Sequence, residues 1–238
     1  YAGMRRGGRA LYAFDVSTET SPSLKWKRGC PNLLDDTNCT NDSTNGDWRG
    51  IGQTWSPATP VTAGGYASGG TTIPLLLMGG GYDRCEDTDT GASGANNSCS
   101  STKGNRIYVI DSNTGVLLKT FTTLRSVAGA ITPVTDGNGL LSYAYAADTG
   151  GNLYRIAGAS AGDPIGGTAP ASWNITRIAQ LGCDDGGTTC TRNRKFLFGP
   201  DVVAITGGGY AVLLGSGDRE KPLGTTTYGA AKIGRAHV

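Results

Sequence analysis

Histidine is nearly missing from this chain: there is one in 238 residues, at position 237. A catalytic Ser-His-Asp arrangement or a Cys-His pair therefore has no base to draw on. Long apolar runs are missing as well. No stretch approaches the roughly 18 apolar residues of a membrane-spanning helix. Neither sign of charge dominates, with 21 Lys and Arg against 19 Asp and Glu and a net charge of +2. That balance gives no basic field for nucleic acid. The one basic cluster, Arg5-Arg6 with Arg9, is expected to be a solvated loop, because a nucleic-acid footprint is a broad basic face. Apolar residues at i, i+3, i+4 and i+7 never persist without an interrupting Gly or Pro, so long helices are not expected. CxxC spacing and Cys/His mixtures are absent, which argues against structural zinc.

Glycine is abundant, at 39 residues, about twice the usual share of roughly 7%. Gly, Thr, Ser and Asn fill the loops between short apolar runs, the pattern of an all-β chain. The six cysteines fall into three close pairs: Cys30 with Cys39, Cys85 with Cys99, and Cys183 with Cys190. Each pair encloses a polar loop. An even count in local pairs is expected to be a set of disulfide staples, each contributing around 2–3 kcal/mol by limiting the unfolded loop. Staples imply an oxidising compartment, the periplasm or the cell surface.

The stretch Val127–Ile156 sets the pattern for the whole chain. It predicts three strands, near Ile131–Val134, Leu141–Ala147 and Asn152–Ile156, separated by Asp-Gly-Asn-Gly and Asp-Thr-Gly-Gly turns. Two segment types recur. Ser56–Val61, Ala130–Val134 and Phe198–Val203 are Pro-containing first strands, and each precedes an apolar strand ending in Gly or Asp. Leu11–Val16, Ile107–Asp111 and Asn152–Ile156 carry an apolar-Tyr-apolar theme, followed by a polar turn and another strand. Proline suits a strand start, where no ladder donor is needed. Four antiparallel strands per unit make one propeller blade, and the chain is long enough for about three to four. The expected fold is all-β: a partial, quinoprotein-like β-propeller over residues 1–232. A β-sandwich is the competing architecture. Open first and last blades would leave unpaired edges.

Tyr1, with no initiating Met, predicts a fragment of a longer chain. Residues 233–238, Ile233-Gly234-Arg235-Ala236-His237-Val238, match the peptide encoded by a common sequencing-adapter read-through. They are expected to be a non-native tail, which also disqualifies His237 as a functional residue.

Gly7–Val16, Gly52–Pro57, Gly79–Asp83, Tyr143–Arg155 and Gly215–Glu220 together resemble the C-terminal β-propeller of the PilY family. These are large type IV pilus biogenesis proteins and tip adhesins. The resemblance covers nearly the whole chain outside the Cys loops and the tail. It implies a role in pilus assembly, in opposing retraction (hence in twitching motility) and in surface attachment. The implied partners are pilus subunits or minor pilins and a surface or host receptor. The implied location is the pilus tip, cell surface, periplasm or outer membrane of a Gram-negative bacterium. The family also carries an EF-hand-like calcium loop, D-x-D-x-D-G-x-x-D, before its Tyr-Ala-x-Asp run. Here the matching run is Val134–Ser142. Asp136 and Asn138 fall on ligand positions and Gly139 on the turn Gly, while Val134 and Ser142 stand where the pattern has Asp. A degenerate Ca²⁺ site at Asp136, Asn138 and Ser142 is one expectation. A plain hairpin turn is the other, since Ca²⁺ wants six to eight oxygens. The loop Glu86–Gly91 is acidic without the spacing and is expected to be a solvated disulfide loop.

The resulting expectation is a non-catalytic binding module with no organic cofactor. Asp201 and Asp218 form the one conceivable carboxylate pair, but strand-end Asp residues ordinarily cap turns. The enzymatic alternative is a quinoprotein-type dehydrogenase propeller, which Asp111–Gly115 resembles. The absence of adjacent cysteines and of an evident Trp/Arg/Glu set for a quinone argues against it. A third possibility is an assembly propeller that binds partners through its strand edges.

Overall fold

The structure, a computed structural model, describes residues 1–87, 103–182 and 194–217 and the backbone of 235–237. The elements are short strands in successive antiparallel sheets, as the turn-rich sequence requires. Sheet 1 has the order β1 (Ala2–Gly3), β2 (Arg9–Asp15), β3 (Ser23–Cys30). A two-residue hairpin follows, β4 (Asn41–Asp42) with β5 (Gly46–Asp47). Sheet 2 begins with β6 (Thr59–Val61). A second small hairpin, β7 (Ala67–Ser68) with β8 (Thr71–Thr72), precedes its remaining strands, β9 (Leu75–Gly79), β10 (Arg106–Asp111) and β11 (Leu117–Thr122). Sheet 3 runs in order through β12 (Thr132–Thr135), β13 (Leu141–Ala147), β14 (Asn152–Ala157) and β15 (Asn174–Gln180). Sheet 4 comprises β16 (Asp201–Ala204), β17 (Tyr210–Leu213) and β18 (Arg235–His237). The three strands expected between Val127 and Ile156 are β12, β13 and β14. The two tiny hairpins lie in loops whose composition gives no strand signal.

How the sheets pack separates a propeller from a sandwich. Successive side chains of a strand point to opposite faces. In β9 both faces are apolar and buried. Leu75 and Leu77 join a core with Ile107, Val109, Ala144, Ala146, Ile156 and Trp173, between sheets 2 and 3. Leu76 and Met78 join a different core with Leu11, Ala13, Trp26, Tyr108 and Ile110, between sheets 1 and 2. Strand β13 repeats the arrangement: Ala144 and Ala146 face sheet 2, while Tyr145 and Ala147 pack with Phe196, Val212 and Leu214 of the sheet 4 region. Each inner sheet is thus covered on both faces by its sequence neighbours, as consecutive blades are and as a two-layer sandwich is not. Burying each large apolar side chain here contributes about 1.5–3 kcal/mol. Backbone and side-chain hydrogen bonds also tie neighbouring sheets together. The backbone N–H of Leu141 donates to the Thr62 carbonyl beyond β6 at 2.8 Å, and Thr132 Oγ1 in β12 donates to the Pro200 carbonyl just before β16.

The first cysteine pair is a disulfide: Cys30 and Cys39 are bonded, with Cα atoms 4.0 Å apart. Cys85 is also disulfide-bonded. Its expected partner, Cys99, lies outside the described residues. Cys183 and Cys190, expected to form the third staple, also lie outside the described residues, so that pairing is neither met nor contradicted.

One basic residue departs from expectation. Arg9 belongs to a cluster expected to be a solvated loop, yet it is 3% exposed. It starts β2, and its guanidinium ties the stapled 30–39 loop to the sheet. Nε donates to the Ile51 carbonyl at 2.7 Å, Nη1 to the Asp35 carbonyl at 2.8 Å, and Nη2 to Asp36 Oδ1 at 2.8 Å and to the Arg49 carbonyl at 2.9 Å. The fork geometry of the guanidinium explains how one side chain can meet four acceptors. Lys103 Nζ reaches the same carboxylate at 2.7 Å. Desolvation pushes the Asp36 carboxyl up, but the bonds from Lys103 and Arg9 outweigh it and hold the group below the usual carboxylate value.

Candidate functional site

Each blade is joined to the next by a segment that pairs with the loops after the second strands. Gln53 and Tyr82 exchange backbone hydrogen bonds at 2.8 Å, and the Arg5 N–H donates to the Thr54 carbonyl at 3.2 Å. One blade on, the Gly81 N–H donates to the Val127 carbonyl at 3.0 Å and the Thr149 N–H to the Ser126 carbonyl at 2.9 Å. In the next blade the Gly217 N–H donates to the Lys195 carbonyl at 3.0 Å. Three lead-in segments are thus held alike. Gly81 makes the close approach possible: its φ is +100°, and a Cβ there would meet the Gln53 carbonyl oxygen at 2.2 Å.

These segments enclose a pocket of about 330 Å³. Trp55 and Pro57 lie four and two residues before Thr59, the first residue of β6. Ala128–Ala130 stand four to two residues before Thr132 of β12, and Leu197–Gly199 four to two before Asp201 of β16. The same backbone offset in three blades therefore builds the pocket, with Arg5 and Tyr82 completing it from the loops after β1 and β9. Gly129 lies against the Phe198 backbone, where a Cβ would approach to 2.4 Å. The Arg5 guanidinium stands 5.7 Å from the centroid of the Trp55 ring, within cation–π range. The buried Lys195 places Nζ 5.4 Å from the Tyr82 ring centroid. None of the described residues lining the pocket is acidic.

The residues expected to hold calcium lie elsewhere. Asp136 and Asn138 occupy the turn between β12 and β13, and Ser142 sits in β13. Asp136 Oδ1 accepts from the N–H groups of Asn138 and Leu140, both at 2.9 Å, while the Asp136 N–H donates to the Leu140 carbonyl at 2.8 Å. Gly139 closes the turn at φ +76°. One carboxylate with an oxygen already engaged, one amide and one hydroxyl are a thin donor set for a hard cation. Asp201 is exposed at the start of β16, with its carboxylate accepting from the Val202 N–H at 2.9 Å. Asp218 and residues 88–91 of the acidic loop lie outside the described residues. Of the six cysteines expected in staples, Cys30, Cys39 and Cys85 are bonded, while Cys99, Cys183 and Cys190 are not among the residues described.

Asp111 and Asp148 serve as buried turn anchors. Asp111 Oδ1 accepts from the N–H groups of Asn113 and Thr114, and Oδ2 takes the Tyr66 hydroxyl at 2.7 Å. Desolvation raises the Asp111 carboxyl, but the Tyr66 and Thr114 bonds outweigh it and leave it below the ordinary value. Burial and the same carboxylate push the Tyr66 phenol up to about 12. Asp148 accepts from the N–H groups of Gly150 and Asn152 and from the Tyr154 hydroxyl at 2.9–3.0 Å. The run Asp111–Gly115, which resembles a quinoprotein repeat, forms the Asp111 turn.

No family model matches the chain, and no curated protein matches it. Among solved structures, the crystal structure of the Pseudomonas aeruginosa PilY1 C-terminal domain is similar, with a TM-score of 0.57 and 21% sequence identity. The chain shares the fold of that domain. The match covers 89% of this chain and 39% of the PilY1 domain chain, so the sequence spans about two fifths of its relative. The partial propeller expected from the repeats agrees with this likeness.

Proposed function

We propose that the chain is part of a non-catalytic binding propeller in a type IV pilus-associated protein, acting in pilus biogenesis and surface attachment. The observation that carries the reading is the structural likeness to the PilY1 C-terminal domain over 89% of the chain, joined to the motif resemblance to the PilY family. The Cys30–Cys39 disulfide fits an extracytoplasmic setting. The partners are pilus subunits or minor pilins, with a surface or host receptor, and the pocket between the lead-in segments is the contact site. No helix of the described residues is long and apolar enough to cross a membrane.

The test is deletion of residues 1–232 from the parent gene in its pilated host. Surface pili, twitching and attachment are expected to fall together, and unchanged values for all three refute the proposal. The quinoprotein alternative is tested on the purified parent protein. Dye-linked alcohol oxidation is expected to stay at background with and without added pyrroloquinoline quinone, and quinone-restored activity would overturn the binding-module reading.

A further inference from the structure

We propose that the pocket built by the three lead-in segments takes a short partner-protein segment in which a carboxylate stands beside a flat apolar side chain. This rests on the reading of the chain as a protein-binding module and names the chemistry of its site. Three independent features point the same way.

The first is unused donor capacity. Arg5 is exposed, and among the described residues no carboxylate pairs with its guanidinium, whose one recorded contact is the Trp55 ring. The indole N–H groups of Trp26, Trp48 and Trp173 donate to the carbonyls of Ser112, Asn45 and Thr168. That of Trp55 has no acceptor among the described residues. A guanidinium and an indole N–H from two residues lining one pocket, with no acidic residue in its described lining, suit an oxyanion.

The second is shape. Ala128, Gly129 and Ala130 add no long side chain to the pocket that Trp55 and Phe198 also line, and Phe198 is 57% exposed. A flat apolar group can lie there against aromatic faces. About 330 Å³ sits at the lower end of the range for ligand pockets, enough for about two side chains and too little for a folded surface.

The third is strain. Arg5 adopts φ +50°, one of two non-glycine residues at positive φ among those described. The Gly7 N–H donates to the Met4 carbonyl at 2.9 Å, so Arg5 stands inside a closed turn that fixes the backbone from which its side chain leaves. The backbone bond from the Arg5 N–H to the Thr54 carbonyl holds Arg5 next to Trp55.

The experiment is a titration of the purified protein with N-acetyl-Asp-Phe-amide, read by tryptophan fluorescence. Trp55 is the only pocket tryptophan, and the other three are buried in the blade cores. A saturable change is expected. N-acetyl-Asn-Phe-amide should bind at least roughly tenfold more weakly, because the charge-assisted bond is lost. Arg5→Gln should show the same loss for the Asp peptide and the same affinity as the parent for the Asn peptide. Phe198→Ser should weaken both peptides. Arg49→Gln, which removes a cation paired with Asp47 away from the pocket, should leave both unchanged. Equal binding of the two peptides, or no response to either, overturns the proposal. Benzoate binding as tightly as the Asp peptide would assign the site to a free small acid and overturn the polypeptide assignment. Loss of piliation on deletion of residues 1–232, with no peptide binding, would sink this site alone and leave the pilus reading standing.

Discussion

Replacing Arg9 by Met keeps the stem of the side chain and removes every donor. The residue is 3% exposed, and its four shortest hydrogen bonds, at 2.7–2.9 Å, run to the carbonyls of Ile51, Asp35 and Arg49 and to the Asp36 carboxylate, with the Asn32 carbonyl farther off at 3.4 Å. Hydrogen bonds to a charged group contribute about 1.5–3 kcal/mol each, and a buried acceptor left without a donor costs about 1–3 kcal/mol. The four do not add. Asp36 is 38% exposed and keeps Lys103, so water and the ammonium replace most of that bond. Ile51 is fully buried, so its carbonyl has the least access to water. The expected loss is about 3–5 kcal/mol, the range for breaking a buried charged network on one side. That is a large fraction of the 5–15 kcal/mol typical of a folded domain. Urea unfolding reads it as a lowered midpoint with an unchanged slope. Arg9→Lys restores the charge without the fork and should recover less than half of the loss. Asp36→Asn should be mild, about 1 kcal/mol or less. An Arg9→Met variant within about 1 kcal/mol of the parent would refute the idea that this guanidinium docks the stapled loop.

Three further outcomes are expected. Asp136→Ala removes the acceptor for two turn N–H groups and should cost about 1 kcal/mol equally with and without Ca²⁺; a melting temperature that Ca²⁺ raises in the parent but not in the variant would instead establish a calcium site. Gly81→Ala forces a side chain onto φ +100° and against the Gln53 carbonyl oxygen, so thermal unfolding should show a loss of at least about 2 kcal/mol; a neutral result would mean the lead-in segments are not locked as described. Tyr66→Phe removes a donor to Asp111. Because that carboxyl is held low in the folded protein, its contribution is present above the ordinary carboxylate value of about 3.9 and is lost as pH falls through the folded one. The variant should therefore be less stable above about pH 4 and lose less on acidification, so that the gap between the two proteins narrows as pH falls; a gap that does not change with pH would contradict the assignment.

The blades were legible because their signals are local. Proline before the first strand, Gly or Asp after the second, and the Tyr-containing third strand sit close together in sequence and repeat. Cys30 and Cys39 were legible for the same reason, being nine residues apart. The pocket was not. Arg5, Trp55, Tyr82 and Phe198 come together from four loops, and each alone looks like an ordinary loop residue. The available signal was positional: Trp55 and Phe198 occur four and three residues before the first strands of their blades. That offset is visible once the repeats are aligned. Arg9 was misjudged because its acceptors are mostly backbone carbonyls, which composition does not reveal. Hairpins β4–β5 and β7–β8 are too short to carry an alternation.

The most direct measurement is a crystal structure of this region. The account requires β9 to sit in the middle of consecutive sheets, with Leu75 and Leu77 packed on one neighbouring blade, Leu76 and Met78 on the other, and Arg5 beside Trp55 where the lead-in segments converge. Two sheets packed face to face, with one side of β9 turned to solvent, would contradict it.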